Sequence, residues 1–281
     1  MISLLSLAAD NVAHSLAEDW RRMFGAREPQ LAEFVGSLAE LALERIGNSD
    51  ALFHGVQHTI LVTLVGRDIL RGRALSEPVS PSDWAHFLIA CLFHDIGYVR
   101  GVLKGDREPD FVADETGRMV RLPRGASDAA LIRQHVDRSK MFIRERLGGS
   151  DLLDAERIAR AVEFTRFPVV VTPAEAGTGT EAGLVRAADL IGQLGDPLYL
   201  RKANALYWEF EETGLNRQLG YASPADLVER YPDFYWNSVS PHLKEAVAYL
   251  NVTAAGRQWI ANLHSHVFCA EHAFAQMGPQ R

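Results

Sequence analysis

The spacing of apolar residues along the chain predicts a mostly helical protein. Between residues 31 and 46 they recur every three to four positions, and the pattern stops at Gly47 and Asn48, residue types that commonly end helices. The same periodicity predicts helices over 52–70, 84–96, 127–147, 154–167, 181–194, 198–214, 224–230 and 241–264. The segment 84–96 is apolar almost all round, which is typical of a helix in the middle of a core.

Residues 100–127 interrupt this helical pattern, and we call them the flap. They hold four glycines and two prolines among many charges, and 111–114 and 119–122 could pair as a short hairpin. A long non-helical insert in a helical domain is typical of a functional or mobile segment. The pattern therefore predicts one all-α domain, 1–281, with a charged flap and a C-terminal helical extension, 198–281.

Composition narrows the class of protein. The 281 residues are 47% hydrophobic and 23% charged, which suits a globular domain with a full core. The net charge of −7 and the lack of a long basic run disfavour a nucleic-acid partner. The longest apolar run, 87–93, is too short to cross a bilayer, and the N-terminus lacks the basic leader of a signal peptide. Two cysteines without a CxxC pair fit the reducing cytoplasm.

Two histidines in the helix predicted over 52–70 are the first candidate functional residues. Their spacing of four predicts that His54 and His58 share one helix face, and Val62 and Val65 continue that face from His58 towards the core. Buried imidazoles need hydrogen-bond partners. Taken alone, the pair more often marks structural histidines than metal ligands.

A His-Asp pair ends the apolar helix at His94 and Asp95. An ionised aspartate at that place is costly unless a positive charge lies beside it, and a divalent cation meets that need better than a histidine does. We expect Gly97 to let the chain turn there. Alone, such a dipeptide is more often simply the end of a helix.

A third polar group, Arg186, Asp189 and Gln193, forms a line along the helix predicted over 181–194. It would be a solvated face if it points outward. If Asp189 points inward, it supplies another anionic oxygen. Histidine, His-Asp and aspartate on three separate helices then make a mixed nitrogen and oxygen ligand set, which suits zinc, manganese, iron or magnesium.

In this order the three motifs resemble those of the HD superfamily of metal-dependent phosphohydrolases, over about 52–194. The His-x-x-x-His start is similar to the cyclic-nucleotide phosphodiesterase branch, although Gly55 stands where that branch has asparagine and Tyr98 stands near its further histidine. The resemblance implies an HD-type metal-binding core over 48–195. It also implies the helical bundle of an HD domain, and the flap follows the HD motif in the chain.

The resemblance further implies a role for each matched residue. The first divalent ion would be held by His58, His94, Asp95 and Asp189. His54 would be the general acid that protonates the leaving oxygen, and Asp95 would also orient the attacking water. A second, more loosely held ion would be bridged by Asp95 and waters.

Candidate substrate contacts follow the HD motif. Phosphate recognition needs cations or backbone amides. Lys104 and Arg124 lie in the flap after the HD motif, and Arg124 comes just before the helix start predicted at residue 127. The alternative is a solvated loop, since the flap's charges nearly cancel. His135 and Arg138 lie on neighbouring faces of the next helix, and the alternative for His135 is a surface histidine.

Three functions follow from these residues. The first is a phosphohydrolase acting through metal-activated water on a phosphomonoester or phosphodiester of a soluble, nucleotide-like substrate. The second is a catalytically weak or inactive HD-type module that binds a ligand or regulates a partner, because fold does not establish turnover. The third is a metal-free helical scaffold. The oligomeric state stays open.

Overall fold

The computed structural model describes residues 3–167 and 177–272, which are all-α apart from one small antiparallel sheet, as predicted. The last nine residues of the predicted C-terminal extension, 273–281, lie outside the described ranges. The α-helices in chain order are Leu4–Phe24 (α1), Pro29–Ile46 (α2), Val56–Arg73 (α3), Pro81–Phe93 (α4), His135–Leu147 (α5), Ala155–Glu163 (α6), Glu181–Leu194 (α7), Tyr199–Glu212 (α8), Leu215–Leu219 (α9), Pro224–Glu229 (α10), Tyr231–Phe234 (α11), Lys244–Asn251 (α12) and Ala254–His272 (α13).

Helix α4 lies at the centre of the core. Every residue from Trp84 to Phe93 is buried, which confirms the prediction from its all-round apolar pattern. Its N-terminus is closed by a capping box in which Ser80 and Asp83 bond each other's backbone amides, and Pro81 occupies the first turn. Helices α2, α3, α6 and α7 pack around it.

Helices α3 and α7 approach each other very closely. A Cβ atom at Gly192 of α7 would lie 2.8 Å from the backbone nitrogen of Val62 in α3, so only glycine permits this spacing. Because Gly192 is one turn beyond Asp189, and Val62 is one turn beyond His58, the contact sets the distance between these two predicted ligands.

Several predicted helix bounds are wrong. The helix predicted from residue 52 begins at Val56 instead, because the amides of Phe53 and His54 donate to the Glu209 carboxylate. The segment 127–147 divides into a short 3-10 turn, Asp128–Leu131, and α5.

Two further segments that we predicted to be single helices end early or divide. The central helix stops at Phe93 rather than at residue 96, and a 3-10 turn, Ile96–Tyr98, follows it. The segment 241–264 divides into α12 and α13, which both pack on α3.

The flap contains the predicted hairpin. Strands Asp110–Val112 (β1) and Met119–Arg121 (β2) pair antiparallel, with Phe111 opposite Val120. Buried Phe111 and Leu122 pack with Leu131 into a small cluster of their own. The flap is therefore a packed structural unit.

Over the described ranges, the helices lack a stretch that is both long and apolar enough to cross a membrane.

We expect Gly192→Ala to lower the free energy of unfolding by ~1–3 kcal/mol, because its methyl group would overlap the α3 backbone. The matched control is Gly36→Ala in α2, where a Cβ meets no atom within 4 Å. That change should raise the free energy of unfolding by ~0.5–1 kcal/mol, since alanine favours the helix. Urea denaturation measures both, and equal effects would contradict the close approach of α3 and α7.

Candidate metal centre

The structure brings together the four predicted metal ligands. In α3, His58 Nε2 lies 3.3 Å from Asp95 Oδ2 and 3.2 Å from Asp189 Oδ1. At the end of α4, His94 Nε2 lies 3.1 Å from Asp95 Oδ2 and 3.5 Å from Asp189 Oδ1. The two Nε2 atoms are 3.2 Å apart. Of the two orientations that the sequence left open for Asp189, the inward one is therefore observed, and we call these four residues the ligand cluster.

The local fold aims the His94 imidazole at this cluster. His94 donates from Nδ1 to the Cys91 carbonyl at 2.8 Å, which leaves the lone pair of Nε2 free for the cluster. Ser139 Oγ donates to the His94 carbonyl and accepts from the Gly97 amide, so α5 holds the turn that follows α4.

The ligand cluster fits a divalent cation. Asp95 Oδ2 is buried without a hydrogen-bond partner, although the ring nitrogens of His58 and His94 lie 3.3 and 3.1 Å away. The side chains of His58, His94 and Asp95 are at most 5% exposed, and that of Asp189 is 18% exposed. Two nitrogens and two carboxylate oxygens suit zinc, manganese, iron or magnesium.

Without a cation, a proton on His94 balances the buried carboxylates. Burial lowers the pKa of His94, but the charges of Asp95 and Asp189 outweigh this effect and raise it well above its ordinary value. Burial likewise raises the pKa of Asp95, and His94 more than reverses this, so Asp95 stays ionised. Metal binding at such a site releases protons from its ligands.

His54 does not share a helix face with His58, which corrects our expectation. It lies in the turn before α3, because Gly55 takes an extended conformation as the N-cap. Its Nδ1 lies 2.5 Å from Oε2 of Glu209, a residue of α8 whose side chain is 1% exposed. His54 thus lies beside the ligand cluster with a carboxylate partner of its own.

This partner makes His54 a cation near neutral pH. Burial lowers the pKa of His54, but Glu209 outweighs this by its charge and its hydrogen bond, and Asp95 and Asp189 add to the effect. Together they raise the pKa to about 9. His54 is therefore protonated when free histidine is mostly neutral.

His135 lies at the edge of the ligand cluster and not on the surface. Its Nε2 is 3.6 Å from Asp95 Oδ1, and its Nδ1 lies 2.6 Å from the Ile132 carbonyl. Burial lowers the pKa of His135, which leaves the ring neutral at pH 7. The ring stacks on Tyr98, whose other face stacks on His54.

Arg138 is a structural residue, which corrects its prediction as a substrate contact. Its side chain is 0% exposed. All five guanidinium N–H groups are engaged: they donate to both Asp106 oxygens and to the carbonyls of Gly97, Val99 and Val112. Arg138 therefore fastens the flap to α5 and has no donor left for a substrate.

The two flap residues that we predicted to contact substrate, Lys104 and Arg124, are exposed. The Lys104 amide donates to Glu145, and neither side chain forms an ion pair within the described ranges. The structure does not bring them into contact with the ligand cluster, so their role in substrate binding stays a prediction.

A cavity of about 240 Å³ lies apart from the ligand cluster, beside the N-terminal ends of α4 and α7. None of the four ligands lines it. Its two cations are already paired, Arg157 with Asp83 and Glu181 and Arg73 with Glu77.

Glu209 is the functional residue that the sequence analysis missed. The one available signal is its position three residues after buried Leu206, on the apolar stripe of α8. A carboxylate on such a stripe needs a buried partner. Nothing in the spacing identifies that partner as His54, because the pairing depends on how α8 packs.

The family model described as Npun_R2479-like matches residues 2–273. The chain belongs to the Npun_R2479-like family. No curated protein and no solved structure matches it. Membership of this family therefore adds no named activity to the geometry of the ligand cluster.

Glu209→Gln should lower the pKa of His54 from about 9 towards or below 6.5, because burial then acts without its main opposing charge. NMR titration of the His54 ring in chelator-treated protein measures the change. The matched control is Glu211→Gln on the same helix, whose carboxylate bonds Asn216 and should leave His54 unchanged. An unchanged His54 titration in Glu209→Gln would contradict the pairing.

The same ion pair should make stability depend on pH. The pKa of His54 is raised on folding, so its contribution is complete below pH 6.5 and is lost as the pH rises through about 9. The free energy of unfolding should therefore fall more steeply over this range in the wild type than in Glu209→Gln. Urea denaturation at a series of pH values measures it, and parallel slopes would contradict the prediction.

Proposed function

We propose that the chain is an HD-type metal-dependent phosphohydrolase that cleaves a phosphomonoester or phosphodiester of a soluble, nucleotide-like substrate. The observation that carries the proposal is the meeting of His58, His94, Asp95 and Asp189, from three helices, beside the His54–Glu209 pair. The resemblance of the three motifs to the HD superfamily supports the same reading.

The ligand cluster would hold the cation through two imidazole nitrogens and two carboxylate oxygens. When bound, a divalent cation supplies Lewis-acid activation of water near neutral pH and offsets the negative charge of phosphate. Asp95 is suited to a second task, since Oδ2 faces both histidines while Oδ1 faces His135. In the proposed mechanism Asp95 also orients the attacking water.

His54 supplies the proton for the departing oxygen. An alkoxide is a poor leaving group, and general acid catalysis contributes ~10²–10⁴-fold when such a group is protonated as it leaves. The charge of Glu209 keeps His54 protonated, and its hydrogen bond at Nδ1 leaves Nε2 as the donor. In this mechanism the ligand cluster binds the metal, and His54 donates the proton without being a ligand.

The proposed compartment is the cytoplasm. Cys91 and Cys269 are unpaired, and free thiols persist in a reducing environment.

Metal binding is tested by elemental analysis and by thermal melting. Elemental analysis should find a divalent metal in the wild type but not in His94→Ala or Asp189→Ala, because each change removes a ligand. A chelator should lower the melting temperature of the wild type, since a cation that binds the folded state stabilises it. A metal-free protein whose melting ignores the chelator would contradict the proposal.

His54→Ala should keep its metal and lose rate selectively. We expect a loss of about 10²-fold or more on adenosine monophosphate and cyclic adenosine monophosphate, whose leaving groups need a proton. Loss should be much smaller on p-nitrophenyl phosphate and bis(p-nitrophenyl) phosphate, whose leaving group is stable as an anion. The control His14→Ala changes an exposed histidine of α1 and should affect neither.

Two outcomes would contradict the enzyme proposal. Normal turnover of both nucleotides by His54→Ala would remove His54 from the mechanism. Bound metal without hydrolysis of any of the four esters by the wild type would favour the alternative, an HD-type module that binds a ligand or regulates a partner.

A further inference from the structure

We propose that Tyr98 is a positioning residue: its ring, enclosed between the imidazoles of His54 and His135, fixes the orientation of both rings beside the ligand cluster. This inference rests on the proposed function, in which His54 donates the proton. It assigns a role to a residue that the sequence analysis noted only as a departure from the phosphodiesterases.

The three rings form one parallel stack. The centroids of His54 and Tyr98 are 4.8 Å apart with an angle of 16° between their planes. Those of Tyr98 and His135 are 4.4 Å apart with an angle of 13°. The rings come from three separate elements, namely the turn before α3, the 3-10 turn after α4, and the start of α5.

Within the described residues, His54 and His135 are each hydrogen-bonded to the protein through one ring nitrogen, so each ring needs a further contact to fix its orientation. His54 is bonded through Nδ1 to Glu209, and His135 through Nδ1 to the Ile132 carbonyl. A ring held at one edge can still tilt about that edge. A flat neighbour against its face opposes the tilt, so the Tyr98 ring supplies the constraint that the hydrogen bonds leave open.

The backbone of Tyr98 is tied to the ligand cluster itself. Its amide donates to the Asp95 carbonyl at 3.0 Å. The neighbouring Gly97 packs so closely on α5 that a Cβ atom would lie 2.0 Å from the His135 carbonyl oxygen. The ring therefore takes its position from the same turn that presents His94 and Asp95.

The flat ring, rather than the hydroxyl, carries this role. Tyr98 is 1% exposed, and burial, with Asp95 adding to it, raises the pKa of Tyr98 well above its ordinary value. The phenol consequently stays neutral and presents an aromatic face to the protonated His54, an arrangement that also favours the cation. Phenylalanine should preserve the function and leucine should not.

The experiment compares Tyr98→Phe and Tyr98→Leu on matched esters. Tyr98→Leu should lose about tenfold or more in kcat on cyclic adenosine monophosphate or adenosine monophosphate, because His54 is then misplaced. It should lose much less on the two p-nitrophenyl esters, which do not need the proton. Tyr98→Phe should match the wild type on all four, and both variants should keep their metal.

Phe142→Leu is the control for a purely structural effect. Phe142 is also a buried aromatic residue, and it contacts Phe93 edge-on rather than a site histidine. Phe142→Leu should change kcat on the nucleotides and on the p-nitrophenyl esters by the same factor. If Tyr98→Leu also lowers both classes equally, the positioning role is overturned. If Tyr98→Leu does not fold, Tyr98→Met, which fills a buried gap without a flat face, replaces it.

NMR separates failure of this inference from failure of the proposed function. If the wild type hydrolyses none of the esters, the function fails and the ring signals of His54 and His135 still report on Tyr98. Loss of the Tyr98 ring current shifts both signals in Tyr98→Leu in any case, so the readout is their width. Both should broaden in Tyr98→Leu as the rings begin to tilt, and should stay sharp in Tyr98→Phe. Signals that stay sharp in Tyr98→Leu would overturn the positioning role without reference to activity.

Discussion

Two carboxylates, buried Asp95 and partly buried Asp189, lie against two buried imidazoles, and the centre of the structure is arranged around their charge. Removing one partner from a buried ion pair typically costs ~3–5 kcal/mol, so positive charge has to be present at this point. When no cation is bound, the raised pKa of His94 lets a proton on its ring provide that charge. A divalent cation provides more charge at the same place and also satisfies the orphaned Asp95 oxygen.

That requirement explains features at some distance from the ligands. Three helices must bring their side chains to one point, and α3 and α7 can do so because Gly192 lets their backbones nearly touch. The turn after α4 is fixed by Ser139 of α5, which bonds both sides of the His-Asp pair. Helix α8 then adds Glu209, whose charge places a second cation, protonated His54, next to the first.

The sequence predicted the secondary-structure elements better than the side-chain contacts between them. Periodicity found the central helix, because its all-round apolar pattern is local, but it left open whether Asp189 points inward, and only the resemblance placed Asp189 among the ligands. It placed His54 wrongly on the face of α3. Spacing alone cannot show that Glu209, far along the chain, accepts hydrogen bonds from the amides of Phe53 and His54, so that α3 begins only after them. It misread Arg138 for the same reason: a cation next to a candidate site looks like a substrate contact until Asp106 and three carbonyls are seen around it.

The pairing of Glu209 with His54 also bears on how this protein can be divided. The segment 48–195 contains all four predicted metal ligands and would be the natural choice for a minimal fragment. Cut there, the polypeptide would lose α8, and with it the group that keeps His54 charged and holds the turn before α3 in place. Such a truncation would retain the four predicted ligands yet lack the partner of the proposed acid, so the C-terminal third has to be counted as part of the candidate site.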